Sequence, residues 1–224
     1  MTFLQLVQRL HSEAGRQGTA PTTVVGQTGF NLRFVNWVNA AYEEIQALHK
    51  TWKFRQMDLD VDITDAARNY TAADLGLTDF GEWKTNYGDV RLYLVVADEK
   101  ELEYEPWDDY KQVYMIGAAR VLPGRPFVYS IKPDNTIDFY PYPDDDYTVT
   151  GEYIKSIQSL TLDTSTIIFP NNYHLLLVWK ALMSYAAFEN APEIYAKAQD
   201  NYDKLIAKME ITELPQIYWG GTLA

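Results

Sequence analysis

The chain has 224 residues, of which 47% are hydrophobic and 22% charged, the balance of a soluble globular protein with room for one or two domains and a sizeable core. A net charge of -12 removes the basic footprint that sequence-independent nucleic-acid binding needs, and the absence of cysteine excludes disulfide scaffolds and Cys-based zinc sites. The 17 Tyr, 6 Trp and 9 Phe suit surfaces that are apolar on one side and wet on the other, as at protein interfaces, or else an aromatic-rich core.

At the N-terminus, Thr2 stands as an N-cap with Gln5 at the capping-box spacing. Phe3, Val7, Leu10 and Ala14 then line one helical face, and Gly15 ends the helix. This opening stretch is an amphipathic helix, without the basic start and unbroken apolar run of a signal peptide. No segment approaches the apolar length that spans a bilayer, so a soluble protein made in the cytoplasm, with no membrane partner, is expected. Residues 15–29 form a Gly-, Thr- and Gln-rich loop, whose GQTG lacks the lysine and the preceding strand of a phosphate loop. Thr28 is placed to cap a second helix, with Phe30, Phe34, Trp37, Val38, Ala41, Ile45 and Leu48 as its stripe. Asn36, Asn39 and Ala40 are small or amide residues that permit close helix approach.

After Lys50 the period changes to two. In WKFRQMDLDVDI, Leu59, Val61 and Ile63 face one way and Asp58, Asp60 and Asp62 the other, a half-buried strand. Short elements are expected around DLGL and DFGEW, a buried strand over 90–97, a turn at 98–100 and a return strand through Leu102 and Tyr104. Pro106 begins a short helix to about Gly117. A three-strand meander follows over 127–131, 136–140 and 147–155, with proline and Asp or Asn in each turn to preset its geometry.

The C-terminal part reads as a helical hairpin. Pro170 closes the extended region, Asn171 or Asn172 caps, and Leu175, Val178, Trp179, Leu182, Tyr185, Ala186 and Phe188 recur at helical spacing. Leu176 and Leu177 make this helix apolar on more than one side. Pro192 sits in the first turn of the next helix, whose apolar face carries Tyr195, Ala198, Tyr202, Leu205 and Met209. The tail ends in Ile217, Tyr218, Trp219 and Leu223, too apolar for free solvent, and is expected to dock on its own bundle or on a neighbouring subunit. The fold class is α+β: a helical bundle from both chain ends (residues 1–50 and 170–211), an inserted antiparallel β domain (51–169) and an extended tail (212–224).

No residue pattern carries catalysis. His11, His49 and His174 lie on three different predicted helices with no paired or HExxH spacing, so packed or surface histidines are favoured over a metal site. The Asp58, Asp60 and Asp62 face lacks the glycine and terminal glutamate of an EF-hand, and Asp144, Asp145 and Asp146 read as a solvated turn. Glu99, Glu101, Glu103 and Glu105 make an acidic strand face, solvated or lining a channel. Carboxylates and aromatics are numerous enough to keep a glycan hydrolase as an alternative, but spacing singles out no acid pair, and no serine sits in a nucleophile elbow. Catalytic, cofactor-binding and metal-ligating residues are therefore set at none.

The run YHLLLVWKALMSYAAFENAPEIYAKA, the tail LPQIYWGGTLA, and FLQLVQRLHSEAG with GQTGFNLRFVNWVNAAYEEIQ at the start resemble the head-to-tail adaptor (connector) proteins of tailed bacteriophages. The resemblance implies a virion neck component, not an enzyme, needing no cofactor. It would form a homo-oligomeric ring, a dodecamer, under the portal protein, carry the DNA channel onward without binding DNA specifically, and offer a platform to a further tail protein, a nozzle or tail hub. It implies that Ile217, Tyr218, Trp219 and Leu223 contact the portal or an adjacent subunit. Another tail-completion or nozzle protein is the alternative structural role.

Overall fold

The computed structural model describes residues 1–65, 67–85 and 90–215. Among them are five α-helices: α1 (Phe3–Glu13), α2 (Gly29–Leu48), α3 (Trp107–Tyr114), α4 (Leu175–Glu189) and α5 (Pro192–Glu213). The strands are β1 (Gln56–Ile63), β2 (Asn69–Tyr70), β3 (Phe80–Trp83), β4 (Arg91–Tyr93), β5 (Lys100–Glu101), β6 (Glu103–Tyr104), β7 (Val128–Ile131), β8 (Ile137–Tyr140) and β9 (Tyr147–Lys155). The fold is α+β, with helices from both termini and a β region inserted between them. It divides into two compact units: Met1–Arg55 with the chain from Ile157 onward, and Gln56–Ser156.

In the helical unit, α1 begins with the expected capping box. The Thr2 hydroxyl accepts the Gln5 N–H at 3.4 Å, and the Gln5 side chain accepts the Thr2 N–H at 2.9 Å. Phe3, Leu6, Val7 and Leu10 are buried, and Gly15, at φ +61°, supplies the left-handed exit. Thr28 holds the N-cap position of α2, but its side chain makes no capping bond. The stripe of α2 is also rotated from the expected one: Phe34, Val38, Ala41 and Ile45 are buried, joined by Tyr42 and Gln46, while Leu48 is 49% exposed. Gln46 is tolerated inside because its amide is fully used. It donates to Tyr42 O (3.0 Å) and Gln158 O (2.9 Å), and accepts the Gln158 N–H (2.9 Å). Asn39 likewise accepts the Leu160 N–H at 2.7 Å. These two amides hold the extended segment after β9, and Leu160, Ile167 and Phe169 enter the helical core. Trp52 and the 3-10 turn Lys53–Arg55 also stand here rather than in a strand; the Trp52 indole donates to Ile45 O at 3.0 Å.

The N-cap of α4 falls on His174, because Asn171–Tyr173 first make a separate 3-10 turn behind Pro170. Seven residues of α4 are buried, and the helix packs on α1, α2 and α5, as its broad apolar surface requires. Asn190 in the left-handed region ends α4, and Pro192 starts α5. The hairpin is antiparallel: Tyr173, just before α4, meets Thr212 near the end of α5 at 2.9 Å, and Lys180 stands over Tyr202. Only Ala198 and Met209 of α5 are fully buried, so this is the outer helix, and it continues through Ile211 to Glu213.

In the β unit, one sheet has the order β1-β9-β4-β5 with β3 also on β9, and the second has the order β2-β8-β7-β6. All pairs are antiparallel except β6 with β7, which run parallel. Leu59, Ile63, Leu92 and Val149 of the first sheet share a core with Tyr129, Ile137 and Phe139 of the second. The expected three-strand meander is not formed. β7 and β8 pair, but the turn after β8 delivers β9 to the other sheet, where β1 offers an eight-residue ladder from Gln56↔Ile154 to Ile63↔Tyr147. The strand expected over 90–97 stops at Tyr93, since Asp98 accepts the Leu94 and Val95 N–H groups and turns the chain out of the sheet. Its return strand is split at buried Leu102: β5 pairs with β4, and β6 with β7.

Candidate interaction surfaces

The most tightly organised polar site is a buried node in the β unit. Arg68, just before β2, donates to Asp138 Oδ1 at 2.5 Å, to Arg120 O at 2.7 Å and to the Tyr110 hydroxyl at 2.9 Å. Tyr110 in turn donates to Asp138 Oδ1 at 2.7 Å, and Lys132 reaches Asp138 Oδ2 at 3.1 Å and Asn69 at 2.9 Å. Burial, and then the Asp138 charge beside it, push the Tyr110 phenol far above its ordinary pKa, so it stays a donor. The node joins α3 and the 3-10 turn Gly117–Val121 to the four-stranded sheet. It has the satisfied geometry of a structural clamp.

The clamp fixes an exposed apolar rim. Val113 on α3, Ile116, Val121 and Leu122 after it, and Phe127 before β7 are each more than half exposed. Arg125 joins this rim to the loop after β4: its guanidinium bonds Asp98 Oδ2 at 2.8 Å, Asp98 O at 2.6 Å and Leu92 O at 3.2 Å. That contact holds the Asp98 carboxyl below the usual carboxylate range. The apolar run Leu94, Val95 and Val96, expected inside a strand, is thus presented outward at 47%, 59% and 75% exposure.

The opposite character is found on β1. Asp58, Asp60 and Asp62 share the exposed face, as the alternation predicts, and Asp58 lies directly opposite Glu152 on β9. A shallow groove of about 490 Å³ there is lined by Asp58, Leu59, Asp60, Arg91, Thr150, Gly151 and Glu152. Glu101 and Glu103 fall on different sheets, so the acidic strand face expected over 99–105 is broken. Asp144 accepts from Tyr147 at 2.8 Å at the start of β9, and burial, then this bond, raise the Tyr147 phenol to about 12.

The three histidines are separate. His11 packs edge-on to Phe34, His49 contacts Glu210 at 3.0 Å, and buried His174 bridges the Met1 amine (2.8 Å) and Phe169 O (3.0 Å). Among the described residues no group of three His, Asp or Glu side chains is placed to hold a metal ion. Ile217, Tyr218, Trp219 and Leu223 lie outside the described residues. Sequence reasoning missed the Arg68–Tyr110–Asp138 node and the rim it supports. Asp138 inside the apolar run IDFY was the signal available, a charge where a strand should be buried.

The surfaces described are exposed apolar and charged faces carried on the elements of an α+β fold. Residues 1–220 match the family model described as SU10 adaptor protein, and the chain belongs to that family of phage adaptors. No curated protein matches the chain. Among the described residues no helix is long and apolar enough to cross a membrane.

Proposed function

We propose that this chain is a head-to-tail adaptor of the virion neck, assembling as a homo-oligomeric ring, a dodecamer, beneath the portal protein. The ring carries the DNA channel onward and presents an attachment platform for the next tail component, a nozzle or hub. The observation that supports this reading is the adaptor-family match, which runs through both chain ends and the inserted β unit. A net charge of -12 suits a conduit that must let phosphate pass without adhering, and the role is structural, with no step of bond chemistry. Ile217, Tyr218, Trp219 and Leu223 are assigned to the contact with the portal or an adjacent subunit, because aromatic anchors dominate interface energetics.

Native mass, measured alone and after mixing with the cognate portal ring, tests the proposal. The chain is expected to join the portal in the portal's own copy number, and a chain cut after Pro215 is expected to lose that association while keeping its helical circular dichroism. A full-length chain that ignores the portal overturns the adaptor role. A truncated chain that still assembles overturns the role of the tail.

A further inference from the structure

The outer edge of β1 stands apart from the other sheet edges. β1 has eight residues, pairs with β9 along one side in unbroken register, and among the described residues has no strand on its other side. The remaining edge strands are shorter: β2, β5 and β6 have two residues each, and β3, paired among the described residues only with β9, has four and is broken by a register shift. A long regular edge leaves alternate N–H and C=O groups pointing outward in the spacing that an added strand would complete. Of the usual devices against such pairing, β1 has no proline, no bulge and no inward-pointing charge.

What β1 does carry is charge of one sign at every second position. Asp58, Asp60 and Asp62 are exposed on one face, and Asp58 sits directly opposite Glu152, whose carboxylate is already paired with Lys84. This pattern discriminates between occupants. If a second copy pairs its own β1 here in antiparallel register, Asp60 meets Asp60 and Asp58 meets Asp62 across the new seam, so self-pairing is repelled. The tail segment 216–224 contains no lysine or arginine and gains nothing from the aspartates. A strand with basic residues at alternate positions places each of them beside an aspartate.

We propose that the outer edge of β1, from Met57 to Ile63, is a β-augmentation site for an extended segment of another protein with Lys or Arg at every second residue. The inference rests on the β unit alone and stands whether or not the ring assembles on a portal.

The test uses the full chain and three synthetic nine-residue peptides: one with Lys alternating with Val or Thr, one of the same composition with two central residues replaced by Pro, and one with Glu in place of Lys. Binding is measured by calorimetry, and hydrogen exchange is followed at the amides of 57–63. The alternating Lys peptide is expected to bind and to slow exchange in β1. The Pro peptide is expected to bind at least about tenfold more weakly, since proline removes ladder donors. The variant carrying Asp58→Lys and Asp60→Lys should reverse the preference toward the Glu peptide. Equal binding of the Lys and Pro peptides would mean charge adsorption without strand pairing and would overturn the proposal. So would unchanged exchange in β1, or β1 amides already protected in a self-associated chain, which would give the edge to a second copy.

Discussion

Asp138 is the residue on which the β unit turns. It is 1% exposed and has Arg68, Tyr110 and Lys132 as partners, so its removal leaves a buried guanidinium without a counter-charge. Breaking a buried pair from one side costs about 3–5 kcal/mol. Asp138→Ala is therefore expected to lower the unfolding free energy of the β unit by that much, read from urea melts, whereas Tyr110→Phe, which removes one hydroxyl from a network that keeps its ion pair, should cost about 1–2 kcal/mol. Equal effects of the two would contradict the geometry. His174 sets a second residue-scale expectation. Phe169 O can only accept, so Nε2 carries the proton and Nδ1 accepts from the Met1 amine; the imidazole is neutral. Burial lowers its pKa, and the nearby amino group lowers it further. A depressed pKa means that the unfolded chain takes up the proton first. The contribution is complete above pH 6.5, the unfolded value, and is lost as the pH falls below it, with a slope of at most about 1.4 kcal/mol per pH unit. Denaturant melts between pH 7.5 and 5 should show this loss, and His174→Gln, which keeps a donor and an acceptor, should flatten it.

At the scale of elements, β3 shows how one small residue fixes a pairing. Gly81 lies at the register shift between Phe80 and Glu82, and a Cβ there would stand 2.7 Å from Ser156 N, 2.8 Å from Lys155 C and 2.9 Å from Ile154 O. All three atoms are backbone of β9 and its end, so nothing flexible can give way. Gly81→Ala is expected to detach β3, destabilising the β unit by about 1–3 kcal/mol and raising hydrogen exchange over Phe80–Trp83; unchanged exchange there would show that β9 can yield. Gly81 also illustrates what the sequence could and could not carry. Helix positions followed directly from local chemistry, because the capping box at Thr2, Asn190 ahead of Pro192 and the 3.6-residue period all act within one or two turns. The existence of β1, β7, β8 and β9 was legible for the same reason. Which strand β9 would join was not, since β8 is nearer in sequence but β1 offers twice the ladder length, and only the folded sheet compares the two. The outward turn of Leu94, Val95 and Val96 was hidden likewise, because it depends on Asp98 and on Arg125, far along the chain. Of the surfaces described, the aspartate face of β1 could be read from alternation alone, while the rim beside α3 needed tertiary contacts.

At the scale of the whole molecule, the two units invite a test of independence. The β unit enters after Arg55 and leaves at Ile157, and both ends of the insertion are tied to one residue of the helical unit. Arg55 donates to Gln46 O at 3.0 Å, and the Gln46 amide pairs with the backbone of Gln158 in both directions. The chain thus returns to within a few residues of where it left, the condition under which an insertion can be removed without stretching its host. The helical unit keeps its own core when the insertion is set aside: Phe3, Leu6, Leu10, Phe34, Ile45, Trp52, Phe169 and the buried face of α4 all belong to it. We therefore propose that each unit folds by itself, and expect replacement of Gln56–Ser156 by a short Gly/Ser linker to leave a soluble helical protein. Circular dichroism should show helix without strand, and thermal unfolding of this linker variant should be a single cooperative transition. The same independence predicts that Asp138→Ala in the full chain lowers a β-unit transition while the helical signal melts where it did before. A linker variant that is molten, or a helical transition that moves together with the β unit, would mean that the insertion completes the fold of the helices, and the chain would then have to be treated as one cooperative body.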